Sequence, residues 1–117
     1  MQIAPRSNTN ERLAAEYVTA QYPQFRLSQI SFLLAIEARP GINHSELAAE
    51  LGTTLSAVAR NVDVFGSQRG TQARQHNHGL VETKKESTDD RIKSLYLTDK
   101  GHKFLRTFRQ VLYGNLD

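Results

Sequence analysis

The run Thr53-Thr54-Leu55-Ser56-Ala57-Val58-Ala59-Arg60-Asn61-Val62-Asp63-Val64-Phe65 holds the side chains best suited to chemistry on a surface. Val58, Val62 and Phe65 recur at i, i+4 and i+7, one apolar stripe of an amphipathic helix. Thr54 is suited to cap that helix, its hydroxyl accepting from an early backbone N–H. Ser56, Ala57 and Arg60 then turn outward. Small residues let a backbone approach a surface, and a guanidinium makes paired hydrogen bonds to a guanine edge. An ordinary surface helix carries the same stripe, so the flanking residues decide between the two readings.

Other chemistry is poorly supported. His76-x-His78 has the spacing of two metal ligands in an extended loop, but His44 or His102 would have to complete the set and no spacing requires it. A solvated loop accounts for both imidazoles. There is no Ser/His/Asp arrangement with a supporting motif, no phosphate-binding loop and no dinucleotide fingerprint. Asp89-Asp90 reads as a turn rather than a paired-carboxylate site. We therefore expect no catalytic residues, no metal, no cofactor and no enzyme activity.

These residues belong to a chain of 117 residues, the length of one domain. With 38% hydrophobic and 23% charged residues it reads as globular, and it has no apolar run of membrane length. Met1–Arg6 lacks a hydrophobic signal core, and the absence of Cys excludes disulfides and thiolate metal sites, so a cytoplasmic location is expected. The net charge of +3 is unevenly spread. Residues 1–65 carry five Lys/Arg against six acids, and residues 66–117 carry ten against six. A basic second half points to a polyanionic partner.

Periodicity and punctuation place the elements. Residues 1–7 read as a flexible N-terminus. Asn8 or Thr9 caps a first helix from about Asn10 to Tyr22, closed by Pro23. Ser28 is expected to cap a second helix to about Arg39, apolar nearly all round and so buried, stopped by Pro40-Gly41. Ile42 marks a very short strand. Asn43 or Ser45 caps a short helix through Leu51, and Gly52 closes it with a positive φ. The Thr54-capped helix follows, completing a helix-turn-helix over 45–65. Residues 66–78 contain no large apolar side chain and read as an inserted basic loop. Gly79–Lys84 and Ile92–Leu97 form a β-hairpin, the wing of residues 79–97, with a charged tip between them. Thr98 caps a last helix from Asp99 to about Tyr113.

The order is that of a winged helix-turn-helix: mainly α with a small β-hairpin wing (α+β), one domain over residues 8–117. The wording of two segments also resembles the MarR-type family of transcription regulators. Ser45–Phe65, SELAAELGTTLSAVARNVDVF, is similar to the family's helix-turn-helix. Gly79–Gly101 is similar to its wing, in which Asp-x-Arg, five residues, Leu-Thr and often Lys-Gly recur. Here these are Asp89-Asp90-Arg91, residues 92–96, Leu97-Thr98 and Lys100-Gly101, without a gap. The likeness covers roughly residues 27–112.

The resemblance implies a homodimeric, sequence-specific double-stranded-DNA-binding regulator, a repressor, with residues 8–22 and 98–113 as dimerisation helices. It puts Ser56, Ala57 and Arg60 in the major groove and Thr54 near a phosphate. Arg91 enters a minor groove at the wing tip, Asp89 braces it, and Lys84, Lys85 and Lys93 line the backbone. The N-terminus of the short helix, Asn43-His44-Ser45, offers backbone N–H groups to a phosphate. Tyr17, Tyr22 and Phe25 suit an aromatic effector, or plain core or interface. A small-molecule effector and a protein partner both stay open.

Three departures stand out. Thirteen residues separate Phe65 from Gly79, where the family has roughly three. That insertion extends the DNA contact through Arg69 and Arg74, binds another partner, or is a passive, disordered loop. Asn61 stands where an aliphatic residue is usual, either half-buried with a partner or turned to a base. The sequence stops soon after the last helix, where the family often has one more. The alternative function is a protein-interaction winged helix, or an architectural or replication-accessory DNA-binding factor.

Overall fold

The computed structural model describes residues 5–66, 78–85 and 92–114. Its elements run α1 (Pro5–Gln21), α2 (Leu27–Ala38), β1 (Ile42–Asn43), α3 (His44–Leu51), α4 (Leu55–Phe65), β2 (Val81–Lys85), β3 (Lys93–Leu97) and α5 (Asp99–Tyr113). This is the expected winged-helix order. The described residues pack as two units, one of residues up to Arg26 and from Lys103 onward, the other of Leu27–His102. The division falls inside α5.

The larger unit is built around α2, whose Ile30, Phe32, Leu33 and Ile36 are all buried. Val58, Val62 and Phe65 of α4 are buried as their spacing requires, and the Phe65 ring lies 5.5 Å from that of Phe32. Leu47 and Ala48 of α3 and Ile42, Leu80, Val81, Leu95 and Leu97 of the sheet region complete the core. The sheet is antiparallel in the order β1-β3-β2. Ile42 pairs with Leu95, so the lone apolar residue after the turn is indeed a strand, two residues long. Gly41, at φ +91°, lets the chain turn into it. An added Cβ there would also meet the Tyr96 hydroxyl at 3.2 Å.

In the smaller unit, Phe104 of α5 is the hub. Tyr17 stacks on it at 5.5 Å, and Tyr22 and Phe25 meet it at 5.4 and 5.6 Å. Burial raises the Tyr22 pKa above its ordinary value, with a smaller contribution from Tyr17. All three aromatics are half-buried around it. The rest of the α5 stripe, Phe108, Val111 and Leu112, is only half-buried.

Two helix starts differ from expectation, and the wing strands run Val81–Lys85 and Lys93–Leu97 rather than from Gly79 and Ile92. The first helix begins at Pro5, not near Asn10; proline is favoured at a first helical position because its missing N–H has no intrahelical partner to lose. The second begins at Leu27, so Ser28 lies inside its first turn rather than capping it.

Candidate nucleic-acid interface

Local caps fix the α3–α4 pair. Asn43, not Ser45, caps α3: its Oδ1 accepts from the Glu46 N–H at 2.8 Å while Glu46 Oε1 accepts from the Asn43 N–H at 3.1 Å. This reciprocal capping box satisfies two helix-end donors. The other Glu46 oxygen and Glu50 face Arg39 at 3.6 and 3.8 Å, linking α3 to the residue after α2. Both ion pairs are exposed and add little stability. Gly52 ends α3 at φ +64°, as expected. Thr54 then caps α4 and accepts from the Ala57 N–H at 3.1 Å.

With Val58, Val62 and Phe65 inward, Ser56 and Arg60 are exposed one turn apart. Ala57 is half-buried, whereas Ala59 is exposed, and so is Leu55. Ala59 and Leu55 are the outward residues that the sequence reading did not pick out. The helical phase set by the three buried residues was the signal for Ala59. Asn61 is half-buried, and its Oδ1 accepts from Gln29 Nε2 of α2 at 3.2 Å. Its place in an aliphatic pattern is thus explained by a polar partner inside the protein.

The wing presents Lys84, Lys85 and Lys93, all exposed. Lys85 lies directly opposite Lys93 across the β2–β3 ladder, a like-charge pairing that weakens a sheet. The Lys84 ammonium lies 4.8 Å from the centre of the Tyr96 ring, close enough for a cation–π attraction. Half-buried His44 begins α3. Burial, and secondarily the Lys93 charge, holds its pKa below the ordinary histidine value, so it is neutral at pH 7. Asp89 and Arg91 of the wing tip, and Arg69 and Arg74 of the insertion, lie outside the described residues.

The base of the insertion is within them. α4 stops at Phe65, and Gly66 is extended. The backbone N–H groups of His78, Gly79 and Leu80 donate to the carbonyls of Val64, Gly66 and Phe65 at 3.0, 3.2 and 2.7 Å. Gly66 and Val81 form a parallel bridge. The His78 ring stands 5.7 Å from that of Phe65, which gives this imidazole a packing role. Among the described residues no three His, Cys, Asp or Glu side chains cluster as a metal site would require. No helix among them is long and apolar enough to cross a membrane.

No model of a known protein family matches the sequence, and no curated protein does either. Solved structures do match. RV1404 from Mycobacterium tuberculosis is 21% identical, with a TM-score of 0.70 over 93% of this chain and 68% of that one. FabT from Streptococcus pneumoniae, solved in complex with DNA, is 20% identical, with a TM-score of 0.66 over 93% of this chain and 71% of that one. A MarR variant from E. coli is 24% identical, with a TM-score of 0.68 over 99% of this chain and 82% of that one. Identity at this level speaks for the fold alone: the chain has the winged-helix fold of these structures.

Proposed function

We propose that the chain is a sequence-specific DNA-binding transcription regulator, a repressor, acting as a homodimer. One observation carries this reading: a self-capped α4 turns Ser56 and Arg60 outward in the same unit that tolerates two opposed lysines, Lys85 and Lys93, on its wing. Opposed lysines cost stability in isolation and are relieved by a polyanion. The likeness to FabT, solved in complex with DNA, supports the same partner.

In this reading α4 enters the major groove, with Arg60 on a guanine edge, Ser56 and Ala57 close to the bases and Thr54 near a phosphate. Lys84, Lys85 and Lys93 follow the flanking backbone. Arg91 reaches the minor groove, braced by Asp89, and Arg69 and Arg74 add contacts from the insertion. The half-buried stripe of α5, together with α1, forms the dimer, so half-sites lie about one helical turn apart.

The experiment is selection of bound duplexes from a random library, followed by gel-shift titration at two salt concentrations. We expect one pseudo-palindromic site and affinity that falls steeply with salt, because phosphate neutralisation releases counterions. Arg60→Ala should cost about 1–3 kcal/mol and relax the preference at one base position per half-site. Binding without sequence preference would favour the architectural role. No binding, with a protein partner recovered, would favour the interaction module.

A further inference from the structure

Leu55 is the first residue of α4, directly after the Thr54 cap, and 54% of it is exposed. It is the one large hydrophobic side chain of α4 left this open, whereas Val58, Val62 and Phe65 are buried. Residues four apart on a helix lie one above the other. Leu55 and exposed Ala59 therefore form an apolar ridge, and Ser56 and Arg60 form a polar ridge beside it. The apolar ridge begins at the end of the helix that leads into a groove. Ala59 has no side-chain atom beyond Cβ, so it leaves room for a close approach.

We infer that the Leu55–Ala59 ridge reads the 5-methyl group of a thymine next to the guanine contacted by Arg60. The inference rests on the DNA-binding reading and names part of the sequence recognised. Among base edges in the major groove, the thymine methyl is the apolar feature, and alanine-sized and larger apolar side chains recognise it. The ridge is continuous with the cationic Arg60 and shares its unit with three exposed wing lysines. Those charges suit a nucleic acid and disfavour an apolar protein partner. Reading of the guanine–thymine pair then requires no Asn or Gln on the outward face, and none is exposed on α4.

The test uses the full chain and the duplex it selects. Each thymine is replaced in turn by deoxyuridine, which removes the methyl and nothing else. One thymine per half-site should lose about four-fold in affinity, the worth of one buried methyl-sized group. That sensitivity should vanish in Leu55→Ala and persist in Leu55→Met, while the neighbouring guanine preference stays. The thermal midpoint of Leu55→Ala should match the parent, since the side chain is exposed. A chain that selects a site yet ignores uracil at every thymine overturns the ridge alone. So does an unchanged uracil sensitivity in Leu55→Ala. Loss of self-association in Leu55→Ala without DNA would place a second copy on the ridge and overturn it as well. A chain that selects no sequence overturns the DNA-binding reading and this inference with it.

Discussion

Thr98 shows how much of this molecule is set by single side chains. Its Oγ1 donates to the Gly79 carbonyl at 2.6 Å and accepts from the Gly101 N–H at 3.0 Å. One hydroxyl thus caps α5 and holds the entry to β2. Thr98→Val keeps the shape and removes both bonds, and should destabilise the fold by about 1–2 kcal/mol. Urea denaturation measures the loss, and Thr98→Ser should recover most of it. The N-caps were legible in the sequence because the N–H that each hydroxyl accepts from lies three residues on, Ala57 for Thr54 and Gly101 for Thr98. Asn61 was not legible in the same way. Its fate depends on Gln29, thirty-two positions away, and no local rule brings the two together.

At the level of elements, α4 and the wing were both readable, the first from a 3.6-residue period and the second from a spaced motif. Their surfaces were less so. The sequence reading took Ala57 for the outward small residue, and the helical phase exposes Ala59 more. Register was also hidden: only the ladder reveals that Lys85 and Lys93 face one another. Lys93→Glu should stabilise the hairpin by about 0.2–1 kcal/mol, seen as a higher thermal midpoint. The same change should weaken DNA binding and flatten its salt dependence by about one phosphate contact. A gain in both stability and affinity would refute a backbone-lining role for this lysine. The insertion is separable for a different reason. Three backbone hydrogen bonds close its base against α4, so deleting residues 68–76 should change stability by less than about 1 kcal/mol. Reduced DNA affinity in the deletion variant would support contacts from Arg69 and Arg74. Unchanged affinity would assign the segment a different role.

For the whole molecule, composition indicated a globular basic chain, and the order of elements indicated a winged helix. The packing into two units was not legible, because it depends on which aromatics gather around Phe104. That unit leaves Leu13 and Tyr113 exposed, and the α5 stripe is only partly covered. If it is the dimer surface, Leu13→Glu with Tyr113→Glu should weaken self-association at least ten-fold, roughly 1.4 kcal/mol. Sedimentation would read the change, and circular dichroism should stay the same. Affinity for a palindrome should fall in step, and affinity for a single half-site should not.

The closed base beneath residues 67–77 also makes that position a port. Gly66 accepts from the Gly79 N–H, and His78 donates to the Val64 carbonyl. A guest domain whose own two ends lie close together can therefore be spliced in without straining α4. A fluorescent guest placed there would stand beside the helix proposed to enter the groove, and would report occupancy of the operator as a change in its light.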